Sequence, residues 1–136
     1  MPTGRAILTV LVVDADSVHR QSMRNTLRTS GYRVLEAVDC RHAEHVLHQN
    51  QGQIDLLVTA LSLPGGNGYE LASRLVESEP KLKVLFVSGQ TGATVKRYYD
   101  APWAEVQTLT RPFEPEELFQ RLKVILEADR RSAEAP

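Results

Sequence analysis

Five short apolar runs, rich in β-branched residues, recur along this 136-residue chain, at 7–13, 33–37, 54–60, 83–87 and 105–109, with longer amphipathic stretches between them. That alternation constrains the fold more than any other feature. Strands that are apolar throughout are buried on both faces. A repeating strand–helix order is satisfied by a parallel sheet with helices on both sides. Helices are predicted over 17–30, 41–50, 69–78 and 115–128, with a weaker one over 93–100 that Pro102 and Trp103 interrupt. Gly31 stands where a C-terminal cap belongs, and Pro80 stops the third helix. Pro115, followed by Glu116 and Glu117, makes a favoured helix start. Leu118, Leu122, Ile125 and Leu126 then give that helix its apolar face.

These units assemble into an α/β, flavodoxin-like three-layer sandwich: a five-stranded parallel sheet with five helices. One domain covers 1–128, and a polar tail covers 129–136. The length suffices to bury a normal core. The formal net charge is −1, with no long basic or acidic run, which argues against nucleic acid or a membrane surface as a partner held by bulk charge. Cys40 is the single cysteine, so no intramolecular disulfide can form, and a lone thiol fits a reducing compartment. The apolar stretch 6–13 is too short to span a bilayer and lacks a small-residue cleavage site. The expected location is the cytoplasm.

In open parallel sheets, ligands sit beyond the carboxyl ends of the strands, where the strand order switches. The residues there are Asp14-Ala15-Asp16, Ala60 with Leu61-Ser62-Leu63-Pro64-Gly65-Gly66-Asn67-Gly68, Ser88-Gly89, and Arg111-Pro112-Phe113. Taken in order, and with Gly31-Tyr32-Arg33-Val34 after the first helix, they resemble the receiver domains of two-component response regulators. The resemblance runs from the first strand to the last helix. It implies roles residue by residue. Asp14 matches the first acidic residue that helps hold Mg²⁺. Ala15 falls where a second acid is expected, and Asp16 comes one residue later. Ala60 stands in place of the aspartate that takes the phosphoryl group and also binds metal. Ser88 keeps the hydroxyl that bonds the phosphoryl group, and Arg111 replaces a lysine. Thr108 stands where many members carry the aromatic of a rotamer switch. The Arg111–Pro112 peptide is expected to be cis, as the family bends the chain there.

A methyl group is not a nucleophile, and Mg²⁺ wants oxygen ligands in octahedral array. The site therefore reads as a degenerate phosphorylation site, with Mg²⁺ binding weak or absent and no other cofactor. Asp55, at the far end of its strand, and Asp39, at the start of the second helix, cannot stand in. Each residue also has a plainer reading. Asp14 can serve as a helix-cap acceptor, and the two roles can coexist. Asp16 reads better as the cap itself, and Ser88 as a strand-end hydroxyl. Arg111 can fork onto Asp14 and fill the emptied pocket, or reach to water; the pair is favoured because Asp14 otherwise lacks a cation. Gly65-Gly66-Asn67-Gly68 lacks the Lys-Ser/Thr of a P-loop and reads as a turn. His42, His45 and His48 lie three residues apart, so they spread over about 120° of helix surface and do not converge on one ion. Tyr98, Tyr99 and Trp103 fit either a contact patch or local core.

The expected function is a signalling module of the phosphorelay type that is not an enzyme. It acts as a pseudo-receiver through a protein partner, such as a histidine kinase, an output domain or a second copy of the chain. In receivers the last strand and its flanking helices commonly carry such contacts. That surface would use Lys96, Arg97, Thr108, Glu116, Glu117 and Arg121, whose mixed charges suit specificity more than affinity. One alternative is a conventional phosphorelay receiver with an unusual or engineered acceptor. Another is a flavodoxin-like flavin enzyme, which wants a hydroxyl- and glycine-rich phosphate loop after the first strand. Asp14-Ala15-Asp16 would repel a phosphate there.

Overall fold

A computed structural model describes residues 7–90, 94–95 and 107–134, with side chains described as far as residue 126. Its elements run β1 (Thr9–Val13), α1 (Ser17–Thr29), β2 (Arg33–Ala37), α2 (Cys40–Gln49), β3 (Leu56–Ala60), β4 (Ser62–Leu63), β5 (Gly66–Asn67), α3 (Gly68–Ser78), β6 (Lys83–Ser88), β7 (Thr108–Thr110) and α4 (Pro115–Glu134). The main sheet has five parallel strands in the order β2-β1-β3-β6-β7. This is the expected flavodoxin-like sandwich, and the order switches between β1 and β3.

Alternate strand residues feed two cores. Leu11, Val13, Leu57 and Phe86 face Leu47 of α2 and Leu71 and Leu75 of α3. Val10, Val12, Val58 and Leu85 face Met23 and Leu27 of α1 and Leu118, Leu122 and Ile125 of α4. β1 and β3 are buried along their whole length, so the near-continuous apolar runs have a direct cause. Each such aliphatic side chain contributes roughly 1.5–3 kcal/mol by leaving water.

The ends of the elements differ from expectation where local chemistry decides them. β1 starts at Thr9 and β3 at Leu56 because Asp55 closes both strands: its amide donates to Thr9 O (2.9 Å), and the Thr9 amide donates to Asp55 Oδ2 (2.8 Å). α1 ends with the Gly31 amide donating to Arg28 O and the Tyr32 amide donating to Leu27 O, both at 3.0 Å, a paired closure of the last turn. The segment after β3 is more than a turn. β4 and β5 pair antiparallel about Pro64-Gly65, and Gly65 sits at φ +75°, the left-handed conformation this turn requires. α4 continues to Glu134 rather than stopping at 128, since the segment up to Glu134 holds no glycine or proline. Of the helix expected over 93–100, the described part is helical backbone at Thr94 and Val95, and the rest lies outside the described residues. Four helices are traced along their length among the described residues. No helix among them is long and apolar enough to cross a membrane.

Candidate functional site

The strand register gathers the strand-end residues. Val13 pairs with Thr59, Ala60 with Val87, and Ser88 with Thr110. One step along each strand brings Asp14 beside Ala60, then Ser88, then Arg111, across the carboxyl edge of the sheet.

Asp14 is 4% exposed, and all of its polar groups are engaged. Its amide donates to Ala37 O (3.1 Å), and its carbonyl accepts from Arg20 Nη1 (2.9 Å). Oδ1 accepts from the Asp16 amide (2.9 Å), and Oδ2 is paired with Nη2 of Arg111. The expected Arg111–Asp14 pair is thus present, through one N–H rather than a fork, because the Asp16 amide holds the other carboxylate oxygen. Arg20 was not singled out in the sequence. It also reaches Glu36 Oε1 on β2 (3.2 Å), and Arg24 reaches Glu36 Oε2 (3.3 Å). The available signal is position: Arg20 lies one turn after the Asp16 cap, with its side chain turned back over the loop.

Asp16 is the cap of α1, accepting from the amides of Val18 (2.9 Å) and His19 (3.0 Å). The His19 amide, more than any other group, holds the Asp16 carboxyl below the ordinary carboxylate range. Ala15 is exposed.

Ala60 is 3% exposed and presents a methyl group at the end of the central strand. The chain packs tightly behind it. The Gly68 amide donates to Leu61 O (2.9 Å), and a Cβ on Gly68 would come within 2.2 Å of Ala60 O, so α3 starts here on a glycine. Asn67 caps α3 by accepting from the Glu70 amide (2.8 Å). Ser88 is buried, its Oγ accepts from the Gln90 amide (3.0 Å), and its carbonyl accepts from the Arg111 amide (2.7 Å). The Arg111–Pro112 peptide is cis. Next to the end of β3 lies an open pocket of about 540 Å³, bounded by the β3–β5 segment, the end of β6 and Arg111.

Of the residues expected to form a partner surface, Thr108, Glu116, Glu117 and Arg121 lie among the described residues. Thr108 is 3% exposed, and its hydroxyl has no partner among the described residues. Nη1 of Arg121 donates to Thr108 O (2.7 Å), which fastens α4 to β7. Glu117 turns back to accept from the Glu114 amide (3.1 Å), as at a helix start. Glu116 is exposed and accepts from Gln120 (2.8 Å). Lys96 and Arg97 lie outside the described residues, as do Tyr98, Tyr99 and Trp103.

Residues 10–123 match the response regulator receiver domain. The chain belongs to that family. Among its relatives is the phosphate regulon transcriptional regulatory protein PhoB of Pseudomonas aeruginosa, 30% identical over 119 residues, which are 87% of this chain and 51% of PhoB. The receiver thus spans about half the length of that relative. It is also similar to the response regulator receiver protein CpdR of Brucella abortus, 28% identical over 117 residues, 86% of this chain and 95% of CpdR. Among solved structures, the receiver domain from the hybrid histidine kinase CckA superposes with a TM-score of 0.72 at 30% identity, covering 87% of this chain and 98% of that one.

Receiver chemistry implies Mg²⁺, and the donor set of this receiver does not fit it. Ala15 and Ala60 offer no oxygen ligand from a side chain. Asp16 caps α1 through Oδ1, and both Asp14 oxygens are taken by an amide and a guanidinium. Among the described residues, no group of three or more His, Cys, Asp or Glu side chains is placed to hold a metal ion. A near-octahedral Mg²⁺ site asks for one or two available carboxylates.

Proposed function

We propose that this receiver works without phosphorylation, as a non-enzymatic module of a two-component pathway that acts by binding a protein partner. The observation that carries the reading is the buried methyl of Ala60 where the acceptor carboxylate is needed. Aspartyl phosphorylation needs that nucleophile and a cation to offset the developing charge. Arg111 supports the same conclusion. It gives the buried Asp14 carboxylate a counter-charge from within the chain, so Asp14 needs no metal to be stable. In this reading no cofactor takes part, and the domain holds one state. The relatives include a phosphate regulon regulator and a sensor kinase. The partner class is accordingly a histidine kinase or an output domain, with a second copy of the chain as a further candidate.

The test is an amide spectrum of the ¹⁵N-labelled protein before and after adding Mg²⁺ with beryllofluoride, a phosphoryl mimic. The resonances of Ser88, Gln90 and Arg111 are expected to stay in place. Saturable movement of all three would assign the site to conventional receiver chemistry.

A further inference from the structure

We propose that the pocket next to the end of β3, lined by Leu61, Val87, Ser88 and Arg111, binds a small organic monocarboxylate, whose carboxylate meets the Arg111 guanidinium and the Ser88 hydroxyl. The inference deepens the function proposed above and rests on its reading that Ala60 leaves the site without an acceptor carboxylate.

The first argument is the state of Arg111. Its side chain is 23% exposed, and the partner of its guanidinium among the described residues is Asp14, through Nη2. A guanidinium carries five N–H donors in a fixed fork, and largely buried donors are costly when left unmade. Arg111 is among the residues that line the pocket. The second argument is shape. The pocket holds about 540 Å³, within the range of roughly 300–1,000 Å³ usual for small-molecule sites. Leu61 and Val87 supply apolar wall, while Ser62, Asn67 and Ser88 supply polar groups. That mixture suits an acid with a short carbon body.

The third argument is charge. Among the described residues that line the pocket, Arg111 is the one that carries a charge. Asp14 is not part of the lining, and both of its oxygens are already engaged. An incoming anion therefore meets the cation first. One guanidinium matches one planar monoanionic carboxylate in geometry and charge. A phosphate dianion needs a second cation, and the donor set for a metal is missing.

The experiment is a titration of the ¹⁵N-labelled protein with sodium formate, acetate and propionate, against sodium chloride and sodium phosphate at matched ionic strength. The amides of Ser62, Gly89 and Gln90 and the Arg111 Nε–H are expected to shift saturably with the carboxylates, in the millimolar range. Chloride should not reproduce the shifts, and phosphate should produce weaker ones. Ala60→Asp supplies the carboxylate in cis and should weaken acetate binding at least about tenfold. Ser88→Ala, which removes one donor and keeps the pocket, should weaken it by a smaller factor. Linear shifts equal to those of chloride, stronger binding of phosphate, or an Ala60→Asp protein that binds acetate as well as the parent would overturn the proposal. A chain that accepts neither beryllofluoride nor carboxylates sinks this inference alone. A chain that accepts beryllofluoride sinks the reading beneath it.

Discussion

Asp14 connects three elements through one residue. β2 takes its amide, α1 reaches its carbonyl through Arg20, and Arg111 beyond β7 takes its carboxylate. Removing the cation leaves a buried charge with one amide for company. Arg111→Gln is expected to lower stability by about 2 kcal/mol, read from the urea midpoint. A fully buried pair broken on one side costs roughly 3–5 kcal/mol, but Arg111 keeps 23% of its side chain in water. The same pair governs how the site can be rebuilt. Ala60→Asp alone places a carboxylate within reach of Arg111 and leaves Ala15 without an oxygen. Ala60→Asp combined with Ala15→Asp and Arg111→Lys is expected to incorporate phosphate faster from a small phosphodonor. Equal initial rates would contradict the roles given to Ala15 and Arg111. At this scale the sequence discloses residues whose placement follows from strand ends, such as Asp14 and Arg111. It does not disclose Arg20, and it reads Arg121 as part of a partner surface rather than as a fastener. The packing of α1 on β2 and of α4 on β7 brings a carbonyl within reach of each.

The elements around the site are fixed by their first turns. α3 begins on Gly68, where a methyl group would collide with the Ala60 carbonyl. Gly68→Ala is expected to cost about 1–3 kcal/mol by forcing β3 and α3 apart, measured by denaturant unfolding. α1 begins on the Asp16 cap, whose carboxyl is held below its ordinary value chiefly by the His19 amide. A carboxyl with a depressed folded-state pKa stabilises the fold above its unfolded pKa, and that stabilisation fades as pH falls toward the folded value. Asp16→Ser keeps a cap without a titrating group. The stability of the parent over this variant should therefore shrink from about pH 6 to about pH 3. A constant difference across that range would show that the charged cap contributes nothing. Helix and strand identities were legible because hydrophobic period and caps agree locally. The β4–β5 hairpin was not, since two-residue strands leave no periodic trace; Gly65-Gly66-Asn67-Gly68 read as a turn, whereas Gly66 and Asn67 belong to β5 and the turn lies at Pro64-Gly65.

The parallel order β2-β1-β3-β6-β7 brings the ends of β1, β3, β6 and β7 to one edge. A site on that edge is a property of the whole sheet. Which residues reach it could be anticipated, because ligands of open parallel sheets sit beyond the carboxyl ends of the strands. The contents of the pocket next to the end of β3 could not, because they depend on how the β3–β5 segment folds over Val87 and Arg111. Core truncation should act on the whole molecule. Leu57→Ala, at a fully buried position of β3, is expected to cost about 2–5 kcal/mol, again read from the urea midpoint. The central claim is that the receiver fold is kept while its phosphoryl chemistry is absent. Intact-mass measurement of the whole chain after incubation with acetyl phosphate and Mg²⁺ tests it most directly. An unmodified mass is predicted for the parent, with the triple variant at positions 15, 60 and 111 as the sample that does gain a phosphoryl group. A stoichiometric phosphoryl gain on the parent, mapped to the strand ends around Asp14 and Ala60, would contradict the account.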